Sequence, residues 1–242
     1  MKPNPRGQPT SMMLTTMKTG SMDNKKKVKQ SKPKTMSSIV AKDEGKAFEL
    51  TPVGTYIARC YSMVHVGTSK GEYQGKEIEQ NKVRITWELP TEMRVYKEEN
   101  GEQPISISRE FTLSMSEKAN LRKFLEGWRG RSFTAEEAKA FDISKLVGLP
   151  CTLSVIHKTS QKGKAYAMVS AASTLMKGVE CPPQINKSFV FSMQTFEQEK
   201  FDQLPDFLKD QVKESYEYKA LFPDQQDNSA ASEVAPQRTT PF

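Results

Sequence analysis

The sequence predicts a mainly β domain with a helical insert: a five-stranded Greek-key barrel of the OB-fold kind, followed by short helices and flanked by disordered tails. Three observations predict it. Strand-like runs with a period of two recur along residues 55–172, one stretch between the third and fourth runs switches to a helical period, and the ends of the chain have no apolar pattern. The resulting order, β-β-β-α-β-β, is that of the small OB barrel, with the helix plugging one end.

The elements follow in turn. Residues 1–47 carry eleven Lys/Arg against three acids among Pro, Ser, Thr and Gly. They hold too little apolar surface to offset chain entropy and are expected to form a disordered basic tail. Met22 and Met36 are alternative starts to Met1. A start at Met36 removes the basic tail and brings the net charge from +7 to −1. The barrel is expected over residues 48–180. Residues 55–66 read as a long first strand, 67–80 as a polar Gly-containing loop, and 81–89 as a second strand with Val83, Ile85, Trp87 and Leu89 on the core face. Residues 105–113 make the third strand after the Asn100-Gly101 turn.

Ser114 to Glu117 reads as a capping box opening a helix whose apolar stripe is Leu121, Phe124, Leu125 and Trp128, stopping near Gly127/Gly130. A second box, Thr134 to Glu137, starts a short helix. Residues 151–158 and 165–172 make the last two strands around a tight basic turn at 161–164. Residues 181–222 are expected as an extended segment and short helices, one starting at Thr195 and one at Pro205 with Leu208, Val212 and Tyr216 on a face. Neither is long enough for a second core. Residues 223–242 are expected to be a disordered, weakly acidic tail.

Composition limits the chemistry. No G-x-S-x-G elbow, P-loop or H-E-x-x-H occurs, so no enzyme is expected. Cys60, Cys151 and Cys181 are an odd, unpaired set with only His65 and His157 to join them, and no metal or other cofactor is expected. Cys60 and Cys151 fall within apolar strands and read as buried reduced thiols. No apolar run of membrane-spanning length or signal core appears, which predicts a cytoplasmic protein with no membrane partner.

Binding is the better-supported class. Single-strand binders combine cations that track phosphates with aromatic faces that stack bases. On the predicted barrel these are Arg59 and Tyr61 of the first strand, Lys82 and Arg84 of the second, Arg109 of the third, and Lys158, Lys162, Lys164 and Tyr166 around the last turn. OB-folds bind oligonucleotides there, on strands two and three and on the loops after strands one and four. The plainer reading, core tyrosines and ordinary surface charges, stays open for each of them. Trp87 and Trp128 read as core.

The segments Pro52–Arg59, Asn81–Leu89, Phe124–Gly130, Phe141–Gly148, Lys177-Gly178, Phe201–Lys209 and Ser215–Tyr218 resemble a family of bacteriophage single-stranded-DNA-binding proteins from replication and recombination clusters. The resemblance covers roughly residues 36–222. It implies an OB-fold and a single-stranded DNA ligand in a bacterial host cell, but carries over no residue list. Bacterial single-stranded-DNA-binding proteins end in an acidic tail closing with Pro-Phe, which Pro241 and Phe242 resemble. That likeness implies a contact to phage or host replication or recombination proteins. Two other readings stand beside this one: a non-enzymatic adaptor that recruits such partners, and an RNA-binding OB domain. Self-association through sheet edges is compatible with the sequence, and nothing in it fixes an oligomeric state.

Overall fold

The computed structural model describes residues 49–73 and 75–223. The elements run β1 (Gly54–Tyr73), β2 (Lys76–Val95), β3 (Glu102–Thr112), α1 (Asn120–Arg129), α2 (Ala135–Lys139), β4 (Pro150–Thr159), β5 (Ala165–Ser173), β6 (Phe189–Phe191), α3 (Gln198–Asp202), α4 (Asp206–Lys213) and α5 (Tyr216–Leu221). The expectations for residues 1–47 and for the tail from 224 onward lie outside the described residues.

The strands form one mainly antiparallel sheet in the order β3-β2-β1-β4-β5, with β6 parallel to β1. β1 has two antiparallel neighbours: Gly54–Arg59 ladder with β4, and the strand from Arg59 onward ladders with β2. A register shift between Cys60 and Ser62 leaves Tyr61 as an extra residue at this fork. Such a bulge bends a strand, which lets one strand pass from one partner to another. β6 takes the edge of β1 at Ser62–Val64.

The predicted alternation holds. Val83, Ile85, Trp87 and Leu89 are buried together with Ile105, Ile107 and Phe111 of β3, Cys151, Leu153 and Val155 of β4, and Val169 of β5. The stripe Leu121, Phe124, Leu125 and Trp128 closes over them. Trp87 is fully buried, its ring 5.6 Å from Phe124 and 5.9 Å from Trp128. Gly127 lets α1 come this close, since a Cβ there would sit 2.6 Å from the Ala172 carbonyl oxygen. Gly127→Ala should therefore destabilise the protein in urea unfolding by about 1–3 kcal/mol, despite the ~1 kcal/mol that alanine gains in helix propensity. A stabilised variant would mean that α1 can shift freely on β5.

The second capping box forms in full: Thr134 Oγ1 accepts from Glu137 N, and Glu137 accepts from Thr134 N, each at 3.1 Å. Glu137 also meets Arg129 and Arg131, each at 2.9 Å. The Arg129 hydrogen bonds, with the Thr134 backbone donor, hold its pKa down at about 2. A carboxylate depressed in the folded state stabilises above its unfolded pKa of ~4.5, and that contribution fades as the pH falls towards about 2. Glu137→Gln should thus flatten the loss of urea stability between pH 5 and pH 2. An unchanged acid profile would show that the contact is too exposed to matter.

Four expectations need correction. Residues 67–80 are not a loop: the β1–β2 ladder continues to Tyr73↔Lys76, with Gly75 at φ +75° in the turn. The first helix does not start at Ser114. Its cap is Ala119, and Ser114 Oγ instead accepts from Ser116 N at 3.4 Å, because the buried stripe begins only at Leu121. Thr195 does not open a helix but ends a single 3-10 turn, α3 following from Gln198. Tyr216 is exposed at the start of α5, and Tyr218 takes the buried place, since Ser215 interrupts the helices and caps α5.

The short C-terminal elements also do make a second core. Val64 and Val66 on the outer side of β1 are covered by Phe191, Met193, Phe201, Leu204, Leu208, Val212 and Tyr218. Pooled aromatic rings, including Phe196 and Phe222, supply the area that three helices of five to eight residues could not supply singly.

Candidate nucleic-acid interface

Because one parity of β2 and β3 fills the core, the other faces outward. Lys82, Arg84 and Thr86 stand opposite Thr112, Glu110 and Ser108. Thr86 and Ser108 hydroxyls meet at 3.2 Å, and the Tyr61 phenol donates to Ser106 Oγ at 3.3 Å. Burial raises the Tyr61 pKa, so it stays a donor. The turn between α3 and α4 stands over this face. Between them lies a groove of about 310 Å³ lined by Tyr61, Arg84, Thr86, Ser106, Ser108 and Phe207, among others. Arg84 pairs with Glu110 at 2.9 Å and lies over the Phe207 ring, 5.2 Å from its centre.

A second cluster sits on the β4–β5 hairpin. Its turn is tight, with Ser160 N donating to Lys164 O at 2.9 Å and Gly163 at φ +77°. Lys158 lies directly across the ladder from Tyr166. Lys158, Lys162, Lys164 and Tyr166 are all exposed, and none of the lysines has an ion pair among the described residues. Lys82 is half-buried and likewise unpaired.

Two expected site residues are framework instead. Arg59 donates to the carbonyls of Gly148 at 2.7 Å, Pro182 at 2.9 Å and Cys181 at 3.3 Å, because it sits at the fork where β1 changes partner. Arg109 is on the core parity. It donates to Val169 O at 2.8 Å and Ser170 O at 3.0 Å, lies over Phe111 and Phe124, and burial lowers its pKa. Arg59 thus spends both terminal nitrogens, and Arg109 its Nη1, on backbone carbonyls that tie neighbouring elements together.

The histidines do not meet. His65 is bonded to Asn81 and accepts from Met193 N, whereas His157 is bonded to Thr51 O. Cys60 and Cys151 are fully buried thiols, and burial pushes Cys60 up to about 12 and Cys151 higher still. Among the described residues no group of three His, Cys, Asp or Glu could hold a metal, and no helix is long and apolar enough to cross a membrane. Pro241 and Phe242 lie outside the described residues.

Sequence reasoning missed Phe207 and the hydroxyl row of Thr86, Ser106 and Ser108. The only hint was Phe207 itself, an aromatic off the Leu208/Val212 face. No family model matches the chain, and no curated protein or solved structure does either.

Proposed function

We propose that this protein binds single-stranded DNA with little sequence preference, along a track from the β2–β3 groove to the β4–β5 hairpin, in the setting of phage replication or recombination. The observation that carries the reading is the exposed Lys158, Lys162, Lys164 and Tyr166 cluster, free cations beside an aromatic face. Lys82, Arg84 and Tyr61 extend it across the sheet. An OB barrel supports the same track. β1 pairs with both β2 and β4, and by the count of antiparallel ladders β3 and β5 run in the same direction, with Arg109 spanning them.

The adaptor reading draws on one observation: Arg84 is already neutralised by Glu110. The test is fluorescence anisotropy of a labelled ~30-nucleotide poly-dT strand at low and moderate salt, with the full chain and with a chain starting at Met36, against duplex and matched RNA competitors. Tight, salt-sensitive binding by both chains that duplex cannot displace is the expected result. Binding lost with residues 1–35 would leave only a polybasic tail and favour the adaptor. Equal displacement by RNA would make this an RNA-binding domain.

A further inference from the structure

We infer that the C-terminal strap, β6 to α5, is a wall of the binding site and supplies its stacking residue, Phe207; this rests on the single-strand reading above. Phe207 sits in the first turn of α4 and is 51% exposed, whereas Leu204 and Leu208 on either side are 3% and 5% exposed. The buried pair, with Val212, anchors α4 in the second core and turns Phe207 out towards Tyr61 across the groove. The Arg84 guanidinium covers one face of the ring and is itself held by Glu110, so the aromatic is fixed before any ligand arrives.

The groove's size and lining suit one ligand chemistry. About 310 Å³ is at the low end of small-ligand pockets, ~300–1,000 Å³. It has room for an unpaired base. Thr86, Ser106 and Ser108 offer hydroxyls that both donate and accept, so the floor satisfies any base edge without choosing among them. Phosphates are left to the lysines of the hairpin. The strap therefore turns a charged surface that would hold any polyanion into one that holds a strand with free bases, and strap docking and strand binding favour each other.

The experiment compares a poly-dT strand with an abasic strand of equal length and charge, using anisotropy on the full chain. Wild type should prefer the strand with bases. Phe207→Ala should lose roughly tenfold on poly-dT, as expected for one stacked base, with affinity for the abasic strand unchanged. Phe207→Trp should keep the preference, and its emission should be quenched by poly-dT. Equal affinity of wild type for both strands, an Ala variant that keeps the preference or loses equally on both, or an unquenched Trp would each overturn the inference while leaving single-strand binding intact. Failure of wild type to bind either strand would overturn the single-strand reading itself. An unchanged circular dichroism melt of Phe207→Ala separates loss of stacking from loss of fold.

Discussion

Replacing Lys158, Lys162 and Lys164 together with alanine should lower affinity for a single strand about 100-fold at ~0.1 M salt and reduce the salt slope by about 2. The figure follows from counterion release. Each phosphate neutralised on a single strand contributes ~0.7 to the slope of log K against log salt, so three contribute ~2, which at ~0.1 M is two decades of affinity. The three side chains are exposed, and unpaired among the described residues, on a hairpin whose turn is fixed by backbone and Ser160, so stability should stay within ~0.5 kcal/mol of wild type. The matching Lys→Arg triple should retain both slope and affinity. A slope unmoved by the alanines would remove the hairpin from the track and return the charge contribution to the N-terminal segment.

The strands of the sheet were legible because each buries one face, which writes a period of two into the sequence. Val83, Ile85, Trp87 and Leu89 could sit in only one register. The extension of the β1–β2 ladder to Tyr73↔Lys76 was not legible, because Ser69, Lys70, Glu72, Glu77 and Glu79 are polar whichever face they are on and no alternation survives. The second core was hidden for a different reason. The aromatics that cover Val64 and Val66 are scattered over residues 191–222, each in an element too short to show a stripe.

The site divided along the same line. Exposed turn residues such as Lys162 and Lys164 were readable, since nothing in a tight turn can bury them. Arg59 and Arg109 were misread because a strand position gives a parity and not a partner: a guanidinium can reach carbonyls on neighbouring elements, and here both do. Phe207 was unreadable for the converse reason. Its exposure depends on where α4 lands on the sheet, which residues 206–213 alone do not encode.

Glu88→Ala should be the most destabilising single change on the outer face of the sheet, at about 3–5 kcal/mol in urea unfolding. Glu88 is fully buried and accepts from Ile185 N at 2.8 Å and from Asn186 N and Nδ2 at 2.7 Å each. Its cross-strand neighbour is Arg59, which holds the carbonyls of Cys181 and Pro182 in the same linker. The two charges thus divide the work, the cation gripping carbonyls and the anion gripping amides, and together they fasten residues 181–186 where the chain leaves β5 for the strap.

Alanine at position 88 leaves Ile185 N, Asn186 N and Asn186 Nδ2 without their acceptor and removes the charge across the strand from Arg59. Glutamine keeps one acceptor oxygen but turns an N–H₂ towards a donor, so Glu88→Gln should be intermediate, at about 1–3 kcal/mol. Limited proteolysis checks the mechanism: cleavage within 181–197 should appear first in the alanine variant, before the sheet unfolds. If alanine and glutamine are equally mild, the linker is held by its apolar contacts. If both are severe and cleavage is global, the linker is not a separable latch but part of the same cooperative unit as the sheet, and the strap cannot open on its own to admit or release a strand.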